Sequence, residues 1–160
     1  MWEELDKILA ALVSEYKTLL ALAKKKHGIL VSVNLPELEK VLKEEDLHAK
    51  NIAALEERRK TTLTKLASLD KALRPDMKMT ELYEAVSNPT RRKSLEKKHE
   101  ELTRIVDDTV SQNEINSILV HGAMQAVSAK LNKLGGADAT GGYGKSGDVV
   151  THKKNFDFKA

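Results

Sequence analysis

Residues 95–134 read LEKKHEELTRIVDDTVSQNEINSILVHGAMQAVSAKLNKL, and the spacing of their apolar residues decides the fold. Leu95, His99, Leu102, Val106, Thr109, Asn113, Asn116, Val120, Ala123, Val127, Lys130 and Leu134 recur in alternate steps of four and three. That is the seam of a long amphipathic helix packed against other helices. Ile105 and Val110 flank its first half. Ile115, Ile118, Leu119 and Leu131 widen the apolar surface of its second half.

Upstream, Asn88-Pro89 opens this third long helix, and Thr80 caps a short helix predicted through Val86. The first helix is predicted from Trp2 to His27, on a stripe of Leu5, Ile8, Leu12, Tyr16, Leu19 and Ala23. Lys24, Lys25 and Lys26 suit the negative end of its dipole, and Gly28 is a natural terminating residue. Asn34-Leu35-Pro36-Glu37 reads as the next start, with Asn34 as cap and Glu37 completing a capping box. The second helix is expected to run to Arg74, because the residue before Pro75 avoids the helical region. Its stripe is thin in the middle, where Glu45 and Arg59 occupy apolar register positions. The short link from Gly28 to Asn34 makes the first two helices antiparallel neighbours.

At Gly135 the composition changes. Six of the eight glycines and both phenylalanines, Phe156 and Phe158, fall in residues 135–160, which show no helical periodicity. The expected organisation is an all-α, elongated bundle over residues 1–134, followed by a flexible Gly-rich C-terminal tail over residues 135–160. Composition agrees. The 160 residues are 41% hydrophobic and 32% charged but only 4% aromatic, which disfavours an all-β fold.

The same inventory excludes several function classes. No cysteine is present, so disulfides and thiolate sites are absent. A net charge of +3 and basic clusters answered by nearby glutamates do not describe a nucleic-acid binder. The longest apolar run, Ile8–Val13, is too short for membrane insertion. Met1-Trp2-Glu3-Glu4 lacks the basic start of a secretory signal, so a cytoplasmic location is expected. Gly144-Lys145-Ser146 mimics part of a phosphate loop, but Ala139 stands where its first glycine belongs, and no strand is predicted before it. No two histidines lie three or four residues apart, so no helical metal pair exists. No catalytic site and no cofactor are implied. Asn113 and Asn116 leave two readings open: register specification inside the bundle, or a mixed surface offered to another helix.

A helical hairpin precedes a third helix carrying Gln112-Asn113-Glu114-Ile115-Asn116-Ser117-Ile118-Leu119, and Gly142-Tyr143-Gly144-Lys145-Ser146-Gly147 follows it. In this order and spacing the chain resembles the FlgN family, flagellar export chaperones for hook–filament junction proteins. The resemblance implies a cytoplasmic, non-enzymatic chaperone that binds the terminal helices of such clients and delivers them to the type III export gate. Matching positions imply client binding by Asn113, Asn116, Leu119, Val120, Ala123, Val127 and Leu134, and export-gate docking by Tyr143. The rival expectation is a structural coiled-coil or tethering protein that self-associates through its third helix.

Overall fold

A computed structural model describes residues 1–135, which form four helices and, among these residues, no strand. They are α1 (Trp2–Ser32), α2 (Leu35–Leu69), α3 (Met79–Glu84) and α4 (Pro89–Gly135). The architecture is the all-α bundle of three long helices and one short helix that the periodicity predicts.

The central element is α1. Leu5, Ile8, Leu9, Leu12, Val13, Tyr16, Leu22 and Ala23 are all buried, and the adjacent pairs Ile8-Leu9 and Leu12-Val13 give the helix two apolar flanks. One flank receives α2 and the other α4. Ion pairs set the directions. Glu15 with His48 (2.7 Å) and Lys26 with Glu45 (2.7 Å) make α2 antiparallel to α1, and Glu4 with Arg58 continues that order. Asp6 with Lys98 (2.7 Å) and Lys17 with Glu101 (2.6 Å) make α4 parallel to α1. Of the two helices that the hairpin offers, α4 packs along α1.

The turn between α1 and α2 differs from the sequence expectation. Gly28 stays helical, and α1 continues one further turn to Ser32. A glycine inside a helix costs about 1 kcal/mol relative to alanine, which the extension of α1 through Ile29 and Leu30 outweighs. The left-handed position falls instead on Val33 (φ 52°, ψ 40°). Its N–H reaches the Leu30 carbonyl at 3.3 Å, and the Asn34 N–H reaches that of Ile29 at 3.2 Å. This pair of bonds is a Schellman closure, which needs positive φ at the residue before Asn34. Asn34 then caps α2 as expected, its Oδ1 accepting from the Glu37 N–H at 3.3 Å. Two residues thus reverse the chain.

The end of α2 also comes early. The helix stops at Leu69 rather than Arg74, because Asp70 adopts an extended backbone and its carboxylate accepts from the Ala72 N–H at 2.9 Å. The break turns Leu73 into the base of the core beside Leu66, Met79, Leu82, Val86 and Leu95. Thr80 lies inside α3, whose N-cap is Lys78, and the helix ends at Glu84 rather than Val86. Asn88 caps α4 as predicted, its Oδ1 accepting from the Arg91 N–H at 3.0 Å.

The thin middle of α2 is a polar layer rather than a gap. Glu45 pairs with Lys26 of α1, and Arg59 bonds Glu56 at 2.9 Å. Burial, with the Glu56 carboxylate adding to it, pushes the Tyr16 phenol well above its ordinary range. His99 of α4 is half-buried, 5.9 Å ring to ring from Tyr83. Burial first, and the charge of Arg59 second, hold its pKa below the ordinary 6.5.

Two outcomes follow from these details. Val33→Gly removes about 1–2 kcal/mol of left-handed strain and adds about 0.5–1 kcal/mol of chain entropy to the unfolded state, so denaturant titration should find no loss and a net gain of up to about 1.5 kcal/mol. The depressed histidine pKa means the unfolded chain takes up a proton before the folded chain does. Stability contributed by neutral His99 is complete above pH 6.5 and is lost as pH falls below it. Melting curves of His99→Gln should show a shallower loss over that interval.

Candidate functional site

The α4 seam is buried against α1 only as far as Asn116. Leu95, Leu102, Ile105, Thr109 and Asn116 are buried in turn, and the Thr109 hydroxyl is satisfied by the Ile105 carbonyl at 2.7 Å. At the end of this stretch the two asparagines bond to the bundle. Asn116, 3% exposed, donates from Nδ2 to the Ala23 carbonyl at 2.8 Å. Its Oδ1 accepts from Gln112 Nε2 at 3.3 Å and lies 3.2 Å from His27 Nδ1. The half-buried Asn113 accepts at Oδ1 from Lys26 Nζ at 3.3 Å, and the same ammonium bridges to both carboxylate oxygens of Glu45. One lysine of α1 therefore ties α2 and α4 together. Both polar atoms of the buried Asn116 amide have partners, so it fixes register with little desolvation penalty.

Beyond this layer α4 outruns its neighbours. Leu119 and Val120 are half-buried, and every residue from 121 to 135 is exposed. These fifteen residues extend as a single helix about 22 Å long at about 1.5 Å per residue. At about 100° per residue, Val120, Met124, Val127, Leu131 and Leu134 fall on the same side of α4 as Leu95, Leu102, Thr109 and Asn116. The strip that packs on α1 thus continues past the end of α1 into solvent, where Leu134 is 76% exposed.

Of the residues singled out by sequence, Ala123, Val127 and Leu134 lie on this bare segment, and Leu119 and Val120 at its foot. Asn113 and Asn116 lie in the polar layer below it. Tyr143 falls outside the described residues, as does the tail of residues 135–160 beyond Gly135. Sequence reasoning passed over Met124 and counted Leu131 only as a flank. The heptad count through Ala123 and Lys130 and the count through Met124 and Leu131 share Val120, Val127 and Leu134, and side-chain size is the signal that separates them.

The segment has a one-signed edge. Residues 115–135 contain Lys130 and Lys133 and no Asp or Glu. Both lysines fall on one side of the apolar stripe, whereas Ser128, Gln125 and Asn132 lie on the other. Among the described residues no group of three His, Asp or Glu side chains gathers to hold a metal, and no helix is long and apolar enough to cross a membrane.

The polar layer makes a direct stability test. Asn116→Ala deletes the bond to the Ala23 carbonyl and leaves Gln112 and His27 short of a partner, so urea titration should register a loss of about 1–2 kcal/mol.

A surface of this kind, a long helix whose core strip outlasts its core, suits a protein that holds another protein's helix. Comparison with known proteins bears on that point. No match was found among curated proteins or among solved structures. The family model described as FlgN protein matches residues 1–151. With nearly all of its length matched, the chain belongs to the FlgN family of flagellar export chaperones.

Proposed function

We propose that this chaperone is cytoplasmic, binds a terminal helix of a hook–filament junction protein along the bare strip of α4, and delivers it to the export gate. The observation that supports this reading is the continuity of the strip. Against α1 it is already a helix-binding surface, and past α1 the same spacing of large apolar residues has no cover among the described residues. An amphipathic helix laid on Val120, Met124, Val127, Leu131 and Leu134 buries its own aggregation-prone face in the helix-in-groove mode. The gain is mutual, because an isolated helix of about fifteen residues is marginal in water.

The stripe also has the spacing of a coiled-coil seam, which is what self-association through this helix would use. Its length argues for the client. Two heptads lie beyond the polar layer, and sustained coiled coils take at least about three to four. Export-gate docking by Tyr143 belongs to the same proposal. An aromatic between glycines, past the last heptad, offers a large contact area with few rotors to immobilise.

Val127→Asp puts a charge in the middle of the strip and should weaken binding of a purified junction protein by several kcal/mol, read by calorimetry. Circular dichroism checks that the variant is folded; undiminished binding by a folded variant would sink the proposal. Tyr143→Ala should leave that client affinity intact and weaken binding to the export apparatus, and loss of neither would remove its docking role.

A further inference from the structure

The tip of the α1–α2 hairpin is the most exposed apolar point of the bundle proper. Val31, Val33 and Leu35 stand in solvent, Val33 at 74%. Val33 also holds the left-handed conformation of the Schellman turn, where a β-branched residue is strained and glycine or asparagine fits easily. Its side chain gains little by folding, since almost all of it stays in water. A residue that strains the backbone and stabilises nothing inside the fold points to a contact outside it.

The tip stands in the right place for such a contact. The bonds from Lys26 to Asn113 and from Asn116 to the Ala23 carbonyl fix the register of the parallel pair α1 and α4. They bring Val33 level with Gly122 to within about a turn. That is where α4 becomes fully exposed. Because α1 packs on the strip side of α4, the hairpin tip closes off the foot of the bare strip on that same side. Strip and tip together form a corner with an apolar wall and an apolar floor.

We propose that this tip is the second wall of the client site, so that the end of an amphipathic client helix lying on the strip abuts Val31, Val33 and Leu35. The inference rests on the strip being the client surface. The occupant takes the line that α1 would have followed had it been longer, in continuity with the α1–α4 interface. Its flank toward Lys130 and Lys133 is acidic, because α4 offers only positive charge there. The wall sets how far along the strip the client slides, which a smooth stripe alone leaves undetermined.

The test titrates a purified hook–filament junction protein into the full chain and its variants. Val33→Gly and Val33→Asn both relax the turn, so neither lowers the Tm, and both should weaken client binding roughly tenfold through loss of a buried valine. Lys130→Glu combined with Lys133→Glu should weaken it by a similar factor through charge reversal, with the effect shrinking at high salt. If both Val33 variants bind as the parent does while Val127→Asp does not, the tip is no wall and this proposal is overturned, with the strip reading intact. If Val127→Asp also binds normally, the strip reading falls with it. Tighter binding by the Val33 variants would mean the tip engages residues 136–160 or a second copy in competition with the client, and would overturn the proposal as well. Unchanged affinity on reversing both lysines would refute the acidic flank.

Discussion

Everything in this molecule hangs on α1 being apolar on two sides. A helix with one stripe can hold one neighbour; Ile8-Leu9 and Leu12-Val13 give α1 a second flank, and α2 and α4 both pack on it, their buried residues joining those of α1 in one core. Among the described residues, α2 and α4 meet through side chains rather than close backbone packing, notably where Lys26 joins Glu45 and Asn113. Each outer helix keeps a broad solvated face, which accommodates most of its charged residues.

The length of α1 then dictates where the bare strip begins. It has 31 residues and α4 has 47, and the two run parallel from nearly the same end. The unmatched part of α4 must protrude at the hairpin end, and its apolar strip protrudes with it. The polar layer at the junction divides the two regimes. Below it the strip is satisfied by α1; above it the strip is bare. Lys26 and Glu45 are each about 15% exposed, at 15% and 14%, so their pairing is mostly sheltered from solvent. Single-partner truncation in such a site leaves a poorly solvated charge behind, which makes the layer a firm anchor for the base of the overhang.

Much of this was legible in the sequence. The caps Asn34 and Asn88, the break between the long helices and the α4 seam follow from local rules that tertiary packing does not overturn. What the sequence misjudged lies at helix ends. Gly28 looked like a terminator because glycine adopts positive φ freely, yet the turn chemistry at Asn34 placed that demand on Val33. Asp70 ended α2 before Pro75 could, since its side chain competed for a backbone N–H. The asparagines Asn113 and Asn116 were ambiguous because an amide in a seam has the same spacing whether its partner is internal or external. Only the positions of Ala23, Lys26 and His27 show that the partners are internal. The bare strip was half legible: its apolar width was visible, but that α1 ends short of it is a property of two helices and not of either sequence segment.

The parallel pairing of α1 with α4 has a kinetic consequence. The hairpin closes over two residues, so its helices find each other through short chain excursions. The contacts from Asp6 to Lys98 and from Ala23 to Asn116 span about ninety positions, and loop-closure entropy delays such pairings. During synthesis the hairpin is complete while α4 is still being made, and it presents the second flank of α1 uncovered until Leu95, Leu102 and Ile105 arrive. The overhang has no intramolecular partner to wait for among the described residues. Its helix therefore does not wait on long-range contacts, so the last part of the bundle to be synthesised is also the part least dependent on the rest having finished folding.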